Sequence, residues 1–229
     1  RALELASLQD LNLPVLVLAD RQTSGRGRGG NPWWSAPGAL TFSLIMECPK
    51  PTDGTSWLRI ALTSGMAVCE TLHQLCPGLD IGLKWPNDVY VNRRKICGLL
   101  VEKPPQAGRR LVLGIGVNVN NSTARAPAAV GSLATSLVEV AGYPFNLGDV
   151  LTEILRQLSA HLTLLQHDTG QLQQRWESYC LLTERTVRLA SGSRKTTGKC
   201  LGINADGALL LQTSNGVESC FSGEVIEWS

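Results

Sequence analysis

The feature that most restricts the fold is a change of texture near Leu182. Upstream, apolar residues recur at helical spacing over long stretches. Trp57, Ile60, Ala61, Ala67, Val68, Leu72 and Leu75 define a helix over 56–76, which Pro77-Gly78 stops. Further helices are expected over 133–141, 147–167 and 171–180. Downstream, five short strands are expected at 187–190, 197–203, 208–211, 217–221 and 225–228. Turn-forming stretches such as Ser191-Gly192-Ser193 and Asn204-Ala205-Asp206-Gly207 separate them, a spacing that suits a small barrel. Helices with interspersed strands, followed by a run of short strands, predict an α+β chain in two units, 1–182 and 183–229.

The first unit also carries strands. Residues 14–19 form a continuous apolar run of strand length, and 39–46, 81–85 and 111–119 read likewise. Residues 89–91 and 95–102 flank Asn92-Arg93-Arg94 and predict a hairpin. A short helical stripe over 2–9 opens the chain.

A formal net charge of +2 is too small for the overall field to attract nucleic acid or membrane, so basic residues must act locally. No apolar run approaches the ~18 residues of a spanning helix, and no signal peptide is visible. The seven cysteines are odd in number and contain no C-x-x-C pair. Several sit inside apolar stretches, where Cys behaves as a small hydrophobe. They predict a reducing, cytoplasmic setting with neither disulfide framework nor zinc site. His73, His161 and His167 lack metal-ligand spacing and read as ordinary helix residues.

Three segments carry chemistry. The first is Gln22-Thr23-Ser24-Gly25-Arg26-Gly27-Arg28-Gly29-Gly30, followed by Asn31-Pro32-Trp33-Trp34. Its four glycines let backbone N–H groups approach an anion, and Arg26 and Arg28 supply forked donors for phosphate or carboxylate. A basic loop of this composition also suits single-stranded RNA. The second is Lys84-Trp85-Pro86-Asn87-Asp88, then Arg94-Lys95-Ile96-Cys97-Gly98. Lys95 opens an apolar strand, so its charge must be paired or must serve a ligand, whereas Arg93 and Arg94 read as a solvated hairpin tip. The third is Gly114-Ile115-Gly116-Val117-Asn118, where glycines inside a strand mark a bulge or the close approach of a ligand.

In this order and spacing the three segments resemble the catalytic domain of biotin–protein ligases, with its G-R-G-R-x-G loop, K-W-P-N-D motif followed by R-K-x-x-G, and G-x-G-x-N strand. The stretch from Arg175-Trp176-Glu177 through the five short strands resembles that family's small SH3-like C-terminal domain. The resemblance implies a mixed β-sheet with flanking helices, class II synthetase-like, plus the SH3-like barrel. It implies formation of biotinyl-5'-AMP from biotin and ATP with Mg²⁺, then transfer of biotin to a lysine of a biotin carboxyl carrier domain. It places Gln22, Gly25, Arg26, Trp33, Lys95, Gly98 and Gly114 around biotin, and Arg28, Lys84 and Asn118 near the nucleotide. Lys95, Arg26 and Asp88 would act catalytically, with Asp88 also a weak metal ligand. The family's Ser-Thr-Asn segment would precede Arg1, and the winged helix that binds DNA in some members has no counterpart in these residues. Neither DNA nor membrane is an expected partner, and a homodimer is the expected assembly if there is one. Two other readings compete: a lipoate–protein ligase, and a non-enzymatic RNA-binding module using the Arg-Gly loop and the barrel cations Arg185, Arg188, Arg194, Lys195 and Lys199.

Overall fold

The computed structural model describes residues 1–8, 10–48, 56–104, 108–167 and 169–229. The chain opens with α1 (Ala2–Ala6), β1 (Val15–Ala19), β2 (Leu40–Glu47) and α2 (Ser56–Leu75). It continues through β3 (Ile81–Lys84), β4 (Asp88–Val91), β5 (Arg94–Glu102) and β6 (Arg110–Val117). Four helices follow: α3 (Ala128–Gly131), α4 (Leu137–Ala141), α5 (Leu147–His167) and α6 (Thr169–Tyr179). The last strands are β7 (Thr186–Ser191), β8 (Arg194–Ile203), β9 (Leu209–Thr213), β10 (Gly216–Cys220) and β11 (Glu224–Trp228). The opening helix expected over 2–9 ends at Ala6, and Gln9 lies outside the described residues.

Six strands form one sheet in the order β1-β2-β6-β5-β4-β3. The α+β class holds, but the sheet expected to be mixed is antiparallel in every ladder. Parallel pairing is confined to the isolated bridges Leu83 to Cys180 and Lys95 to Ala134. The physical reason lies in the connections. Neighbouring strands of the sheet are joined without βαβ crossovers, and short turns join only antiparallel neighbours. The β4–β5 turn is two residues, Asn92 (φ 49°) and Arg93 (φ 63°), both left-handed as a type I′ hairpin turn requires.

Side chains alternate across the strands, so one register gives two different faces. Phe42, Leu99, Leu113 and Ile115 point to the side covered by α2, α5 and α6, where they pack with Leu62, Met66, Leu72, Ile154 and Leu158. Gly65 brings α2 close to the sheet: a Cβ there would lie 2.6 Å from Leu83 Cδ2. Each fully buried Leu, Ile or Phe contributes on the order of 1.5–3 kcal/mol. At one end of the opposite face, α1 covers Ile45 and Val112 to form a second, small cluster around Ala6.

A helix expected over 133–141 begins only at Leu137. The helix does not start earlier because Ala134 bridges to the start of β5: Lys95 donates its N–H to the Leu133 carbonyl, and Thr135 donates to the Lys95 carbonyl. The C-terminal strands form a five-stranded antiparallel sheet ordered β10-β9-β8-β7-β11. No ladder joins β10 to β11, so the expected small barrel is an open one. Its inner residues Val187, Leu189, Ile203, Leu209 and Leu211 are continuous with the main core through Trp176 and Leu182. The buried Trp85 indole donates to the Gly207 carbonyl at 2.9 Å, a second tie between the two sheets. Arg93 is exposed, as expected of the hairpin tip, and its guanidinium also lies over Trp228 at 5.2 Å from the ring centroid.

Candidate active site

A cavity of about 640 Å³ opens on the face of the six-stranded sheet opposite α2, beside α1. Its floor follows from the register: Asp88, Gly98, Gly116 and Thr41 lie side by side across β4, β5, β6 and β2, with Leu100, Gly114 and Ser43 in the next row. Three glycines and two hydroxyls therefore stand where the other face carries large apolar side chains. Two of these glycines differ in what covers them. A Cβ on Gly116 would lie 2.5 Å from the Trp33 ring, so that ring rests directly on it. A Cβ on Gly114 would meet nothing closer than the Leu100 carbonyl at 3.6 Å, so that part of the floor is open.

The Gly-Arg segment folds over this floor as a narrow hairpin. Trp33 donates its N–H to the Gly25 carbonyl, and Gly27 to the Asn31 carbonyl. Gly29 (φ 66°) and Gly30 (φ 82°) make the turn in conformations that glycine adopts without steric cost. Gly25 itself does not line the cavity. It is a glycine because a Cβ there would sit 2.4 Å from the Trp33 carbonyl oxygen. The hairpin carries Arg26, Arg28 and Trp33 to the cavity, with Gln22 at its base. Trp34 is half-buried and stays outside the lining.

The charges converge from three elements. Lys95 Nζ lies 2.6 Å from Asp88 Oδ1, a short ion pair between adjacent strands, and 5.9 Å from the Trp33 ring centroid. Lys84 Nζ lies 5.7 Å from the Tyr90 ring centroid. Burial lowers the pKa of the Lys84 ammonium from its ordinary value, partly countered by Asp88, with Lys95 adding a further lowering. Arg28 is lowered by burial too, with Asp88 and Glu224 opposing, and its Nη1 donates to the Gly223 carbonyl at 2.5 Å. Arg26 is more exposed and lies 3.6 Å from Glu102 at the far end of the cavity. Two buried polar atoms at the site, Gln22 Oε1 and Trp33 Nε1, have no hydrogen-bond partner among the described residues. Such atoms cost free energy unless something pairs with them.

Of the residues expected at the site, Gln22, Arg26, Arg28, Trp33, Lys84, Asp88, Lys95, Gly98 and Gly114 line one cavity. Asn118 does not. It is buried, donating its amide to the Thr135 carbonyl at 3.0 Å and accepting from Asn121. It thus holds the 133–135 segment that pairs with the Lys95 backbone. Gly116, one of the two strand glycines of the third segment, lines the cavity too, and the residues not anticipated are Thr41, Ser43, Glu102, Gly223 and Glu224. Thr41 and Ser43 leave a trace in the sequence, as polar residues alternating within an apolar strand. Gly223 and Glu224 leave none, because they reach the site from a separate sheet. The three histidines lie on α2 and α5. Only His161 is buried, its Nε2 2.7 Å from Glu70. Among the described residues no group of three or more His, Cys, Asp or Glu could hold a metal ion.

Comparison with known proteins agrees with this geometry. Residues 2–120 match the Biotin/lipoate A/B protein ligase family, and residues 184–227 match the Biotin protein ligase C terminal domain. The bifunctional ligase/repressor BirA of Bacillus subtilis is 32% identical over 215 residues, spanning 92% of this chain and 65% of the relative. The chain thus spans less than two thirds of the BirA relatives it matches. The biotin--[acetyl-CoA-carboxylase] ligase of Mycobacterium tuberculosis is 30% identical over 217 residues, spanning 93% of this chain and 78% of the relative. Among solved structures, a biotin protein ligase from Aquifex aeolicus in complex with biotin and ATP superposes with a TM-score of 0.82 at 32% identity, covering 96% of this chain and 90% of that one. With both parts matched in order and the cavity built from the family's own motif segments, the chain belongs to the biotin/lipoate A/B protein ligase family.

Proposed function

We propose that this chain is an ATP-dependent biotin–protein ligase, in which residues 1–182 bind biotin and ATP and residues 183–229 form a C-terminal domain that completes the rim. The observation that carries the choice of biotin is the buried, unpaired Gln22 Oε1 at the base of the hairpin and the open floor at Gly114. An acceptor buried there calls for a donor on the ligand's ring. The ureido N–H groups of biotin provide one, and the dithiolane of lipoate does not.

In the first half-reaction the biotin carboxylate oxygen bonds to the α-phosphorus of ATP, and the bond to the bridging oxygen breaks to release pyrophosphate. Bringing an anion onto a polyanion is the physical obstacle, and fixed cations offset it. Lys95 and Arg28 stand where the carboxylate and α-phosphate would meet, Lys84 toward the nucleotide, and Arg26 on the hairpin. Asp88 holds Lys95 in place through the 2.6 Å ion pair. In the second half-reaction a carrier lysine attacks the acyl carbon and AMP leaves. Mg²⁺ would arrive on the ATP phosphates and supply further charge neutralisation. Mg²⁺ commonly needs only one or two protein carboxylates beside phosphates, and Asp88 is at hand for that. Asn118 supports Lys95 from behind rather than touching the nucleotide.

The carrier domain, a cytoplasmic location and a homodimeric state belong to the same proposal. All seven cysteines are free thiols, which suits a reducing compartment. No described helix is long and apolar enough to cross a membrane. Against the RNA-binding alternative, Arg188, Arg194 and Lys199 of the C-terminal sheet are paired with Glu227, Glu218 and Glu184. The deciding measurement is pyrophosphate release from ATP with biotin or lipoate as co-substrate. Release with biotin and none with lipoate is expected, and the reverse would overturn the reading.

A further inference from the structure

The cavity floor has an order that the chemistry at Lys95 uses only at one end. Alternate positions of the strands stack into three rows across the sheet. The first is Asp88, Gly98, Gly116 and Thr41, the second Leu100, Gly114 and Ser43, and the third Glu102, Val112 and Ile45. Rows on one face repeat every two residues, so the first and third stand about 13 Å apart. Each row is covered differently. The Trp33 ring roofs the first, where a Cβ would lie 2.5 Å from it on Gly116 and 3.1 Å from it on Gly98. The second is open at Gly114. In the third, α1 packs over Ile45 and Val112, while Glu102 stays outside that cluster. Arg26 reaches Glu102 from the hairpin, its Nη2 3.6 Å from Glu102 Oε2.

We propose that Glu102 is a positioning residue for the acid substrate: through Arg26 it walls the end of the slot remote from Lys95, and so fixes how deep the ring sits and which way round the molecule lies. This rests on the ligase reading above. An acid with its carboxylate at Lys95 in the first row would lay its ring along the open second row and stop at the third. The charges favour that direction. Lys84 and Lys95 both flank Asp88 at the first row, two cations to one carboxylate. At the third row Glu102 and Arg26 balance each other, and Arg1, which also lines the cavity, is paired with Glu4. A substrate entering the wrong way round would set its carboxylate beside that of Glu102, and the juxtaposition of like charges disfavours that pose.

The pair does little for the fold. The Arg26 and Glu102 side chains are 63% and 32% accessible, and ion pairs so exposed add little to stability. Its effect falls on the hairpin. Arg26 and Arg28 stand two residues apart on it and diverge to opposite ends of the cavity, Arg26 to Glu102 and Arg28 to the Gly223 carbonyl. The hairpin is thus held at both ends, and losing Glu102 frees the end over the ring. A pair of this exposure is worth up to about fivefold in an equilibrium constant, which sets the size of the effect on biotin binding.

The experiment compares wild type, Glu102→Gln, Arg26→Gln and the double variant in adenylate formation, and wild type with Glu102→Gln in limited tryptic cleavage without ligand. In Glu102→Gln the KM for biotin should rise roughly three- to fivefold, with the KM for ATP and the single-turnover rate at saturating biotin unchanged. The gap from wild type should close in about 1 M salt, which screens the half-exposed pair. The double variant should have the biotin KM of Arg26→Gln alone, because Glu102 acts through Arg26. Cleavage after Arg26 should be faster in Glu102→Gln by a similar factor. An unchanged biotin KM, an unchanged cleavage rate or additive effects in the double variant would each overturn the proposal. So would an ATP KM that rises in step with that for biotin, since Glu102 would then act on the fold at large. A wild type that activates lipoate and not biotin would instead sink the ligase reading, and the cleavage arm would still decide whether Glu102 holds the hairpin.

Discussion

The two faces of the six-stranded sheet are made by the same strands, yet they are built on opposite rules. Toward α2, α5 and α6, alternate positions of β2, β5 and β6 carry Phe42, Leu99, Leu113 and Ile115, all buried. At the positions next to these along each strand, the chain carries Thr41, Ser43, Gly98, Gly114 and Gly116. The first set removes apolar surface from water and holds the fold together. The second removes almost none and leaves room and hydrogen-bonding groups for something else. A strand interior built of glycine and hydroxyl is a poor way to stabilise a sheet, and that is the physical mark of a surface kept for a ligand. Substitutions on the two faces should therefore separate stability from function cleanly.

The largest expected separation is between Lys95 and Leu113. Lys95→Ala should lower the rate of adenylate formation by roughly 100- to 1000-fold, the usual cost of losing one fixed contact to developing charge. The melting temperature should change little, since Lys95 is only half-buried and its partner Asp88 keeps access to water. Leu113→Ala should do the opposite, costing roughly 2–5 kcal/mol of stability through the cavity it leaves while sparing the chemistry of the folded fraction. Single-turnover kinetics and thermal unfolding on both variants decide this. A Lys95 variant with near-normal rates would remove that residue from the mechanism.

A smaller effect should distinguish the covered glycine from the open one. In Gly116→Ala the new methyl occupies the place of the Trp33 ring, which must swing away. Because that ring belongs to a hairpin side chain rather than to the core, stability should fall by less than about 1 kcal/mol, while biotin binding should weaken roughly 10-fold through lost ring packing. Calorimetric titration with biotin, paired with thermal unfolding, checks both. Unchanged biotin affinity would mean that Trp33 does not cover the ligand.

The same division explains what the sequence disclosed. The helix face was legible because large apolar residues at regular spacing have one stable place to go. Hence α2, α5 and the strand positions are read closely. The motif segments were legible because glycines and cations in apolar surroundings need a reason, and nine of the expected residues meet in one cavity. What the sequence hid depends on long-range pairing. The 133–135 segment has a helical pattern, but two hydrogen bonds to Lys95 override it. Asn118 shares a motif with the ligand-facing glycines and yet turns inward to Thr135. Arg93 is the exposed tip that its pattern suggests, but the Trp228 ring beneath it comes from the other end of the chain and has no local signal. Gly223 touches Arg28 from 195 residues away, and no local pattern announces such a contact.

The smallest expected effect is the most selective, because it makes one residue act with opposite signs on stability and on function. Burial lowers the pKa of Lys84 below its ordinary 10.5. Between the lowered value and 10.5 the unfolded chain therefore binds more protons at this position than the folded one. Unfolding free energy then rises with pH through that window, so Lys84 makes the protein slightly more stable as it loses its charge and less stable as pH falls. For the nucleotide the sign reverses. The neutral amine no longer attracts phosphate, and KM for ATP should climb through the same window while KM for biotin stays flat. In Lys84→Arg the charge persists at all accessible pH, so both trends should disappear together. An alkaline rise in the ATP KM that is identical in wild type and Lys84→Arg would show that another group controls it, and would move Lys84 from the nucleotide side of the cavity back to a structural role on the end of β3.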